Sequence, residues 1–355
     1  MKVLYFGTYN PDYARNRILI DGLRQNEVEV LECRDDSPGF RKFINLFKKH
    51  RQLKNRYDLM VVGFLGQQMV PFAKLITLRP FSGQARKPII FDAFLSLYDS
   101  NVFDRKTVKK GSAKAFYYWI LDWLSMYLAD VVLFDTDEHI KYASGEFGLK
   151  KSKFRRIWIG ARDDVFYPMP RSNSQEFIVV FHGSFIPLQG IEYILKAAKI
   201  CEKEGVKFFL IGDGQEKKKM IKLSGELGLK NVEFIGFMSQ EWIRGKIAQA
   251  DVCLGIFGDT KKTLRVIPNK VYECLAMQKP VVTADTPAIR ELFDERDLMM
   301  AETANSESLA EAILRLKRDP ELRNRLAVSG YNKFKDNASS RILGGKLKDI
   351  IYELN

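Results

Sequence analysis

The densest run of chemically capable residues is RVIPNKVYECLAMQKPVVTADTPAIREL, from Arg265 to Leu292. Pro268 stands where a missing N–H costs nothing, and Val271, Tyr272, Leu275 and Ala276 recur at helical spacing. A helix therefore begins near Asn269, carrying Lys270 in its first turn and Glu273 in its second. Val281-Val282-Thr283-Ala284 predicts a parallel strand covered on both faces, and Asp285-Thr286-Pro287 opens a further helix. Upstream, Phe181-His182-Gly183-Ser184-Phe185-Ile186-Pro187-Leu188-Gln189-Gly190 ends a strand and precedes a helix over 191–204. Glycines there let backbone N–H groups approach a diphosphate, and the helix N-terminus favours negative charge. Gly212-Asp213-Gly214 and Gly236-Phe237-Met238 close two more strands.

Other carboxylates and histidines give less. Asp135-Thr136-Asp137 has the spacing of a metal-binding pair. Its context is that of a helix cap, because Asp135 ends a strand and Glu138 follows as a helix begins, placing acids on the positive end of the dipole. His50, His139 and His182 stand in unlike contexts and suggest neither a metal cluster nor a Ser-His-Asp triad. His182 either touches a ligand beside Gly183 or packs as a strand residue. No metal is expected. Asp92 follows Pro88-Ile89-Ile90-Phe91 at a strand's carboxyl end, where open α/β sheets hold ligands, and is the first candidate base; Asp99 is the second.

The elements that would hold these residues alternate. Strand-like runs at 2–6, 27–32, 58–64, 88–92 and 130–135 are separated by helical stretches, and a second series follows at 177–181, 207–211, 232–235, 251–256 and 281–284. This rhythm predicts two doubly wound Rossmann-like domains, 1–165 and 176–338, joined by a linker over 166–175 that holds Pro168, Pro170, Ser172, Asn173 and Ser174. The ligand site is expected in the cleft between facing strand ends. Ser339 to Leu354 reads as a last helix, in a segment 339–355.

In order and content, the glycine loop at 183–190, Gly212-Asp213-Gly214, Gly236-Phe237 and YECLAMQKPVV resemble the donor half of the family-4 retaining glycosyltransferases. The resemblance covers 177–292 by motif and the first half by architecture. It implies the GT-B fold, with the C-terminal helix crossing back to the first domain. It also implies sugar transfer from a nucleoside diphosphate without a metal or a protein nucleophile, the base coming from the first domain. Glu273 matches the second glutamate of the family's two-glutamate motif, which grips the ribose hydroxyls, and Glu291 the closing acid. Gly183, Ser184, Gly212, Asn269, Lys270 and Val271 fall on the donor-binding positions, and Phe237 and Met238 on the base loop. Position 265 holds arginine where the first glutamate belongs, and the family's arginine and lysine of the glycine loop are here Ser184 and Gln189. The expectation is that Arg265 and Lys270 carry the phosphate charge instead, with the amides of Asn269, Lys270 and Val271. Arg265, Lys270 and Asp92 are thus the catalytic candidates.

The chain has 355 residues, 46% of them hydrophobic, enough for two cores. Its formal charge of +13 calls for a polyanionic partner. Residues 38–56 hold seven Lys or Arg and no acid, with Phe40, Phe43, Ile44 and Phe47 at helical spacing. A membrane-surface helix is expected, touching anionic lipid through Phe40, Phe43, Phe47, Lys48, Lys49 and Arg51; a core helix with a solvated basic face is the alternative. The basic loop 105–114 extends the same face. Nucleic acid is not expected, since no zinc-finger spacing or RNA-binding aromatic motif accompanies the charge. Ala115 to Phe134 is apolar, but Asp122 and Asp130 interrupt it, so a buried helix and a strand are predicted rather than a membrane span. Cys33, Cys201, Cys253 and Cys274 read as reduced core thiols, and the N-terminal apolar run is too short for a signal peptide. Together these describe an enzyme on the cytoplasmic face of a membrane. It would move sugar from a UDP- or GDP-sugar to a polyprenyl-phosphate-linked or other membrane-presented glycan, with no cofactor. A noncatalytic nucleotide-sugar or glycan-binding protein and a nucleotide-sugar epimerase are the alternatives.

Overall fold

The computed structural model describes residues 1–78, 86–170 and 176–354. They form two compact units, one from 1–102, 106–158 and 340–354, the other from 103–105 and 159–339. Of the linker expected at 166–175, residues 171–175 lie outside the described residues. Residues 159–165 fall in the second unit, where Arg162 donates to Gln240 Oε1 and Arg244 to the Val165 carbonyl, both at 3.3 Å.

The first unit is a parallel sheet of six strands, β1 (Lys2–Gly7), β2 (Glu29–Arg34), β3 (Leu59–Val62), β4 (Ile89–Phe94), β5 (Val131–Phe134) and β6 (Phe154–Arg156), in the order β2-β1-β3-β4-β5-β6. Its helices are α1 (Ala14–Gln25), α2 (Arg41–Leu53), α3 (Met69–Thr77), α4 (Ala113–Leu128) and α5 (Asp137–Phe147). The second unit has β7 (Phe177–His182), β8 (Val206–Ile211), β9 (Val232–Ile235), β10 (Val252–Leu254), β11 (Val281–Ala284) and β12 (Met299–Ala301), in the order β12-β11-β10-β7-β8-β9. With it come α6 (Ile191–Cys201), α7 (Lys217–Glu226), α8 (Gln240–Gln249), α9 (Asn269–Ala276), α10 (Pro287–Arg290), α11 (Ser306–Arg318) and α12 (Pro320–Ala338). The inner strands β3, β4, β5, β7, β10 and β11 are buried at every residue, which is why they read as unbroken apolar runs. The edge strands β6 and β12 are three residues long and left no such signal.

The last helix, α13 (Ser340–Tyr352), belongs to the first unit and lies on α1. A Cβ on Gly22 or on Gly344 would collide with the other helix's backbone, so glycine at both positions sets the close crossing. Asn26 Nδ2 donates to the Arg341 carbonyl at 2.8 Å and Lys348 Nζ to the Asn26 carbonyl at 2.9 Å.

Helices α2, α3 and α4 form one layer. Phe43 packs edge-on against Phe72 of α3 at 5.2 Å between ring centroids, and Gln68 Nε2 at the start of α3 donates to Tyr117 Oη of α4 at 3.3 Å. Two of the residues expected to touch lipid on α2 have partners within the protein. Phe43 is half-buried in that packing, and Lys49 Nζ is committed to Asp35 at 3.1 Å and to the Arg34 carbonyl at 2.6 Å. Leu46 and His50 also face inward, whereas Phe40 is 74% exposed and Ile44, Phe47, Lys48 and Arg51 lie open. Helix α4 departs from its expected burial as well. One face seats Ala115, Asp122, Ser125 and Met126, but Phe116, Tyr117 and Tyr127 are exposed. Asp122 enters the core because Ser96 Oγ donates to it at 2.7 Å and the Tyr98 N–H at 2.8 Å; burial still pushes its carboxyl up to about 6.

Candidate functional site

In the second unit the strand order reverses between β7 and β10, the point at which doubly wound sheets bind ligands beyond their carboxyl ends. The backbone there is drawn tight. Gly183 follows β7 and Gly212 follows β8, both with φ of +141°, a conformation glycine adopts at little cost. The Gly183 N–H donates to the Ile211 carbonyl at 2.9 Å, and a Cβ on Gly212 would collide with the Gly183 carbonyl oxygen.

Helix α9 runs from this strand end. Pro268 caps it, and Asn269 is its first residue. Lys270 and Glu273, one turn apart, both reach the β7 end. Lys270 Nζ lies 3.6 Å from the centroid of the Phe181 ring and donates to Gln189 Oε1. A Cβ on Gly183 would sit 2.9 Å from that nitrogen. Glu273 Oε2 is 2.7 Å from His182 Nε2. His182, Gly183, Gln189, Lys270 and Glu273 thus form one cluster, with Gly212 directly behind Gly183.

Comparison with known proteins shows what the segment that holds this cluster resembles. Residues 168–333 match the family described as glycosyl transferases group 1. This segment resembles a glycosyltransferase group 1 domain. The chain is 30% identical over 181 residues to alpha-D-kanosaminyltransferase of Streptomyces kanamyceticus, a match covering 50% of this chain and 46% of that one. It is 27% identical over 190 residues to the lipopolysaccharide core biosynthesis glycosyltransferase LpsD of Rhizobium meliloti, covering 52% of each. The chain spans about half the length of these curated relatives. Over 99% of this chain and 100% of the other, the fold superposes on Anabaena HepE in complex with UDP, with a TM-score of 0.72 at 16% identity. The fold is GT-B.

Within residues 168–333, the electrostatics are unusual at Lys270. The side chain is buried, and its hydrogen bond goes to a neutral amide. Burial pushes its pKa well below the ordinary lysine value, and the nearby Cys274 and Glu273 raise it only in part. Cations on aromatic faces are stabilised by about 0.5–2 kcal/mol, so Phe181 softens this cost without removing it.

The other candidates of this segment differ in exposure. Ser184 is exposed, Met238 and Asn269 are half-buried, and Phe237 projects beyond β9 with 84% exposure. Arg265 ends the short helical turn Thr263–Arg265 and donates from Nε to the Lys261 carbonyl at 3.1 Å. Val271 is a correction: its side chain is in the core and its N–H already donates to the Pro268 carbonyl at 3.0 Å, so that amide is spent.

Asp92, in the first unit, is the larger correction. It is fully buried, and its two oxygens are clasped by Arg15, with Nη2 at 2.9 Å and Nε at 3.0 Å and 3.2 Å. A carboxylate sealed against a guanidinium cannot collect a substrate proton. The Asp135 carboxylate is likewise engaged, at 2.8 Å from His139 Nδ1, while Thr136 Oγ1 caps α5 by accepting from the His139 N–H. Sequence reasoning left His182 undecided between touching a ligand and packing as a strand residue, and it missed both the His182–Glu273 contact and Gln189 as the acceptor for Lys270. A histidine directly before the loop glycine was the signal for the first; a neutral glutamine gave none for the second.

Proposed function

We propose that the chain is a retaining, metal-independent glycosyltransferase of hexosyl type that moves a sugar from a UDP- or GDP-sugar to a membrane-presented glycan, polyprenyl-phosphate-linked acceptors foremost. The observation that carries this reading is the cluster at the end of β7. A buried amine whose hydrogen bond goes to a neutral amide and a carboxylate held by one imidazole, set around glycine backbone, suit a ligand whose phosphates need a cation and whose ribose needs an acceptor. The group 1 resemblance, the UDP of HepE and the lipopolysaccharide role in the name of LpsD support it.

In this reading Lys270 and Arg265 neutralise the diphosphate, assisted by the Gly183, Ser184, Gly212, Asn269 and Lys270 backbone. Glu273 receives the ribose hydroxyls, and Phe237 and Met238 meet the base. The acceptor oxygen bonds to the sugar's anomeric carbon on the face the diphosphate leaves. The anomeric C–O bond breaks with its electron pair on the phosphate, which takes the acceptor's proton, so Asp92 is not required. Incubation with UDP- and GDP-sugars and a lipid-linked glycan should release nucleotide equally with and without EDTA. Absence of turnover with every donor would favour a binding protein, isomerised sugar an epimerase, and EDTA sensitivity would overturn the metal-free step. Arg265→Ala should cut turnover about tenfold or more, as loss of a charge-assisted phosphate contact does; an unaffected variant would return Arg265 to scaffold.

The membrane part of the proposal places the protein on the cytoplasmic face, held by the α2–α4 layer. Phe40, Ile44 and Phe47 stand beside the exposed cations Lys48 and Arg51, and Phe116, Tyr117 and Tyr127 follow the exposed Lys109, Lys110 and Lys114. Aromatic rings beside cations suit the lipid–water boundary, where each basic residue contributes about 1 kcal/mol on anionic lipid. Among the described residues no helix is long and apolar enough to cross a membrane. Lys48→Glu with Arg51→Glu should abolish sedimentation with phosphatidylserine-containing liposomes at moderate salt, and unchanged binding would refute this anchoring.

A further inference from the structure

We infer that His182 is a positioning residue that fixes the Glu273 carboxylate for the ribose of a nucleoside diphosphate; this rests on the ribose role proposed above for Glu273. Among the described residues, the hydrogen bond from His182 Nε2 at 2.7 Å is the one Glu273 makes through its side chain. The Glu273 side chain is 11% exposed, so it is nearly withdrawn from water yet open to a ligand at one edge. A long carboxylate in that setting has three rotatable bonds and one anchor. Without the anchor it would spread over rotamers, and a bound ribose would have to order it.

The ring's other nitrogen defines its form. His182 Nδ1 is buried with no hydrogen-bond partner. A proton on Nδ1 would be buried without a partner, whereas the Nε2–H tautomer leaves only a lone pair there. The ring therefore donates from Nε2 to Oε2, which leaves Oε1 for the ligand. The backbone that carries the ring is held in place, because His182 is the last residue of β7, paired in register with Ile211, and Gly183 follows it bonded to the same residue's carbonyl.

The test is a cycle between protein and ligand. Affinities for UDP and for 2′,3′-dideoxy-UDP, and for the guanosine pair, are measured by calorimetry on the wild type, His182→Phe and His182→Gln. The wild type should prefer the intact ribose about tenfold or more, the size expected for hydrogen bonds to a charged acceptor. His182→Phe should lower that ratio to within about threefold of unity, and His182→Gln, whose amide can donate to Oε2, should keep it. A fold defect lowers both affinities without moving their ratio, and His182→Gln guards against loss of the aromatic variant to misfolding. If His182→Phe, or His182→Gln alone, breaks this pattern by respectively keeping or losing the full ratio, the positioning role is overturned. If the wild type itself ignores the ribose hydroxyls, the role of Glu273 fails and the inference falls with it.

Discussion

Lys270→Met is expected to lower turnover by about 10²–10³-fold while making the folded protein more stable. The kinetic part follows from charge. A departing diphosphate needs a fixed positive partner, and loss of one preorganised donor to developing negative charge costs about 10²–10³ in kcat. The glycine loop carries the neutral Ser184 and Gln189, and the Lys270 amine rests on Gln189, against Gly183. Among the described residues no second cation is hydrogen-bonded into that cluster, so most of the loss falls on this side chain. Turnover within about threefold of wild type would refute this assignment.

The stability part follows from the same burial. Lys270 in the folded chain has a pKa well below its unfolded value of 10.5, because burial disfavours the ammonium. Between the folded pKa and 10.5 the unfolded chain holds a proton that the folded chain lacks, so stability rises with pH through that window. Below the folded pKa the whole penalty of a buried charge is present. Methionine removes it, with a gain of about 1–3 kcal/mol that is largest at low pH and fades as pH approaches 10.5. Urea denaturation of both proteins across that range checks the sign; a gain that grew with pH would contradict it. A diphosphate seated beside Lys270 would return the counter-charge and the proton, which is why a destabilising residue suits this position.

The fold was legible because its inner strands are buried on both faces. Runs such as Val281 to Ala284 and Ile89 to Phe91 cannot be solvated, and their spacing leaves room only for helical crossovers. Strands β6 and β12, three residues each on sheet edges, have no such constraint and carry no pattern. The helix starting after Pro268 and the tight Gly183 turn were legible for the same local reason, being set by backbone chemistry. Side-chain partnership was not. Asp92 stands at a strand's carboxyl end, where ligands bind, and nothing in its neighbours signals that Arg15, 77 positions earlier, fills the space. The apolar length of α4 likewise says nothing about which face meets the core, since Phe116 and Tyr127 resemble core residues in sequence and are exposed in the fold.

The Arg15–Asp92 pair also sets a large stability effect in the first unit. Arg15 is fully buried, with Nη1 donating to the carbonyls of Ile157 and Trp158 at 2.8 Å and 2.7 Å and the rest of its guanidinium on Asp92. It therefore ties α1 and β4 to the segment that follows β6. Asp92→Asn keeps the shape and removes the charge, leaving an arginine buried without its counter-ion. Breaking such a pair from one side costs about 3–5 kcal/mol. Because the cost arises from the stranded partner, Asp92→Leu combined with Arg15→Met should recover most of it, replacing a buried pair by apolar volume. Urea denaturation of Asp92→Leu, of Arg15→Met and of the double variant reads this coupling directly. A catalytic Asp92 would behave in the opposite way: Asp92→Asn would keep its stability and lose turnover, and the second substitution would rescue nothing.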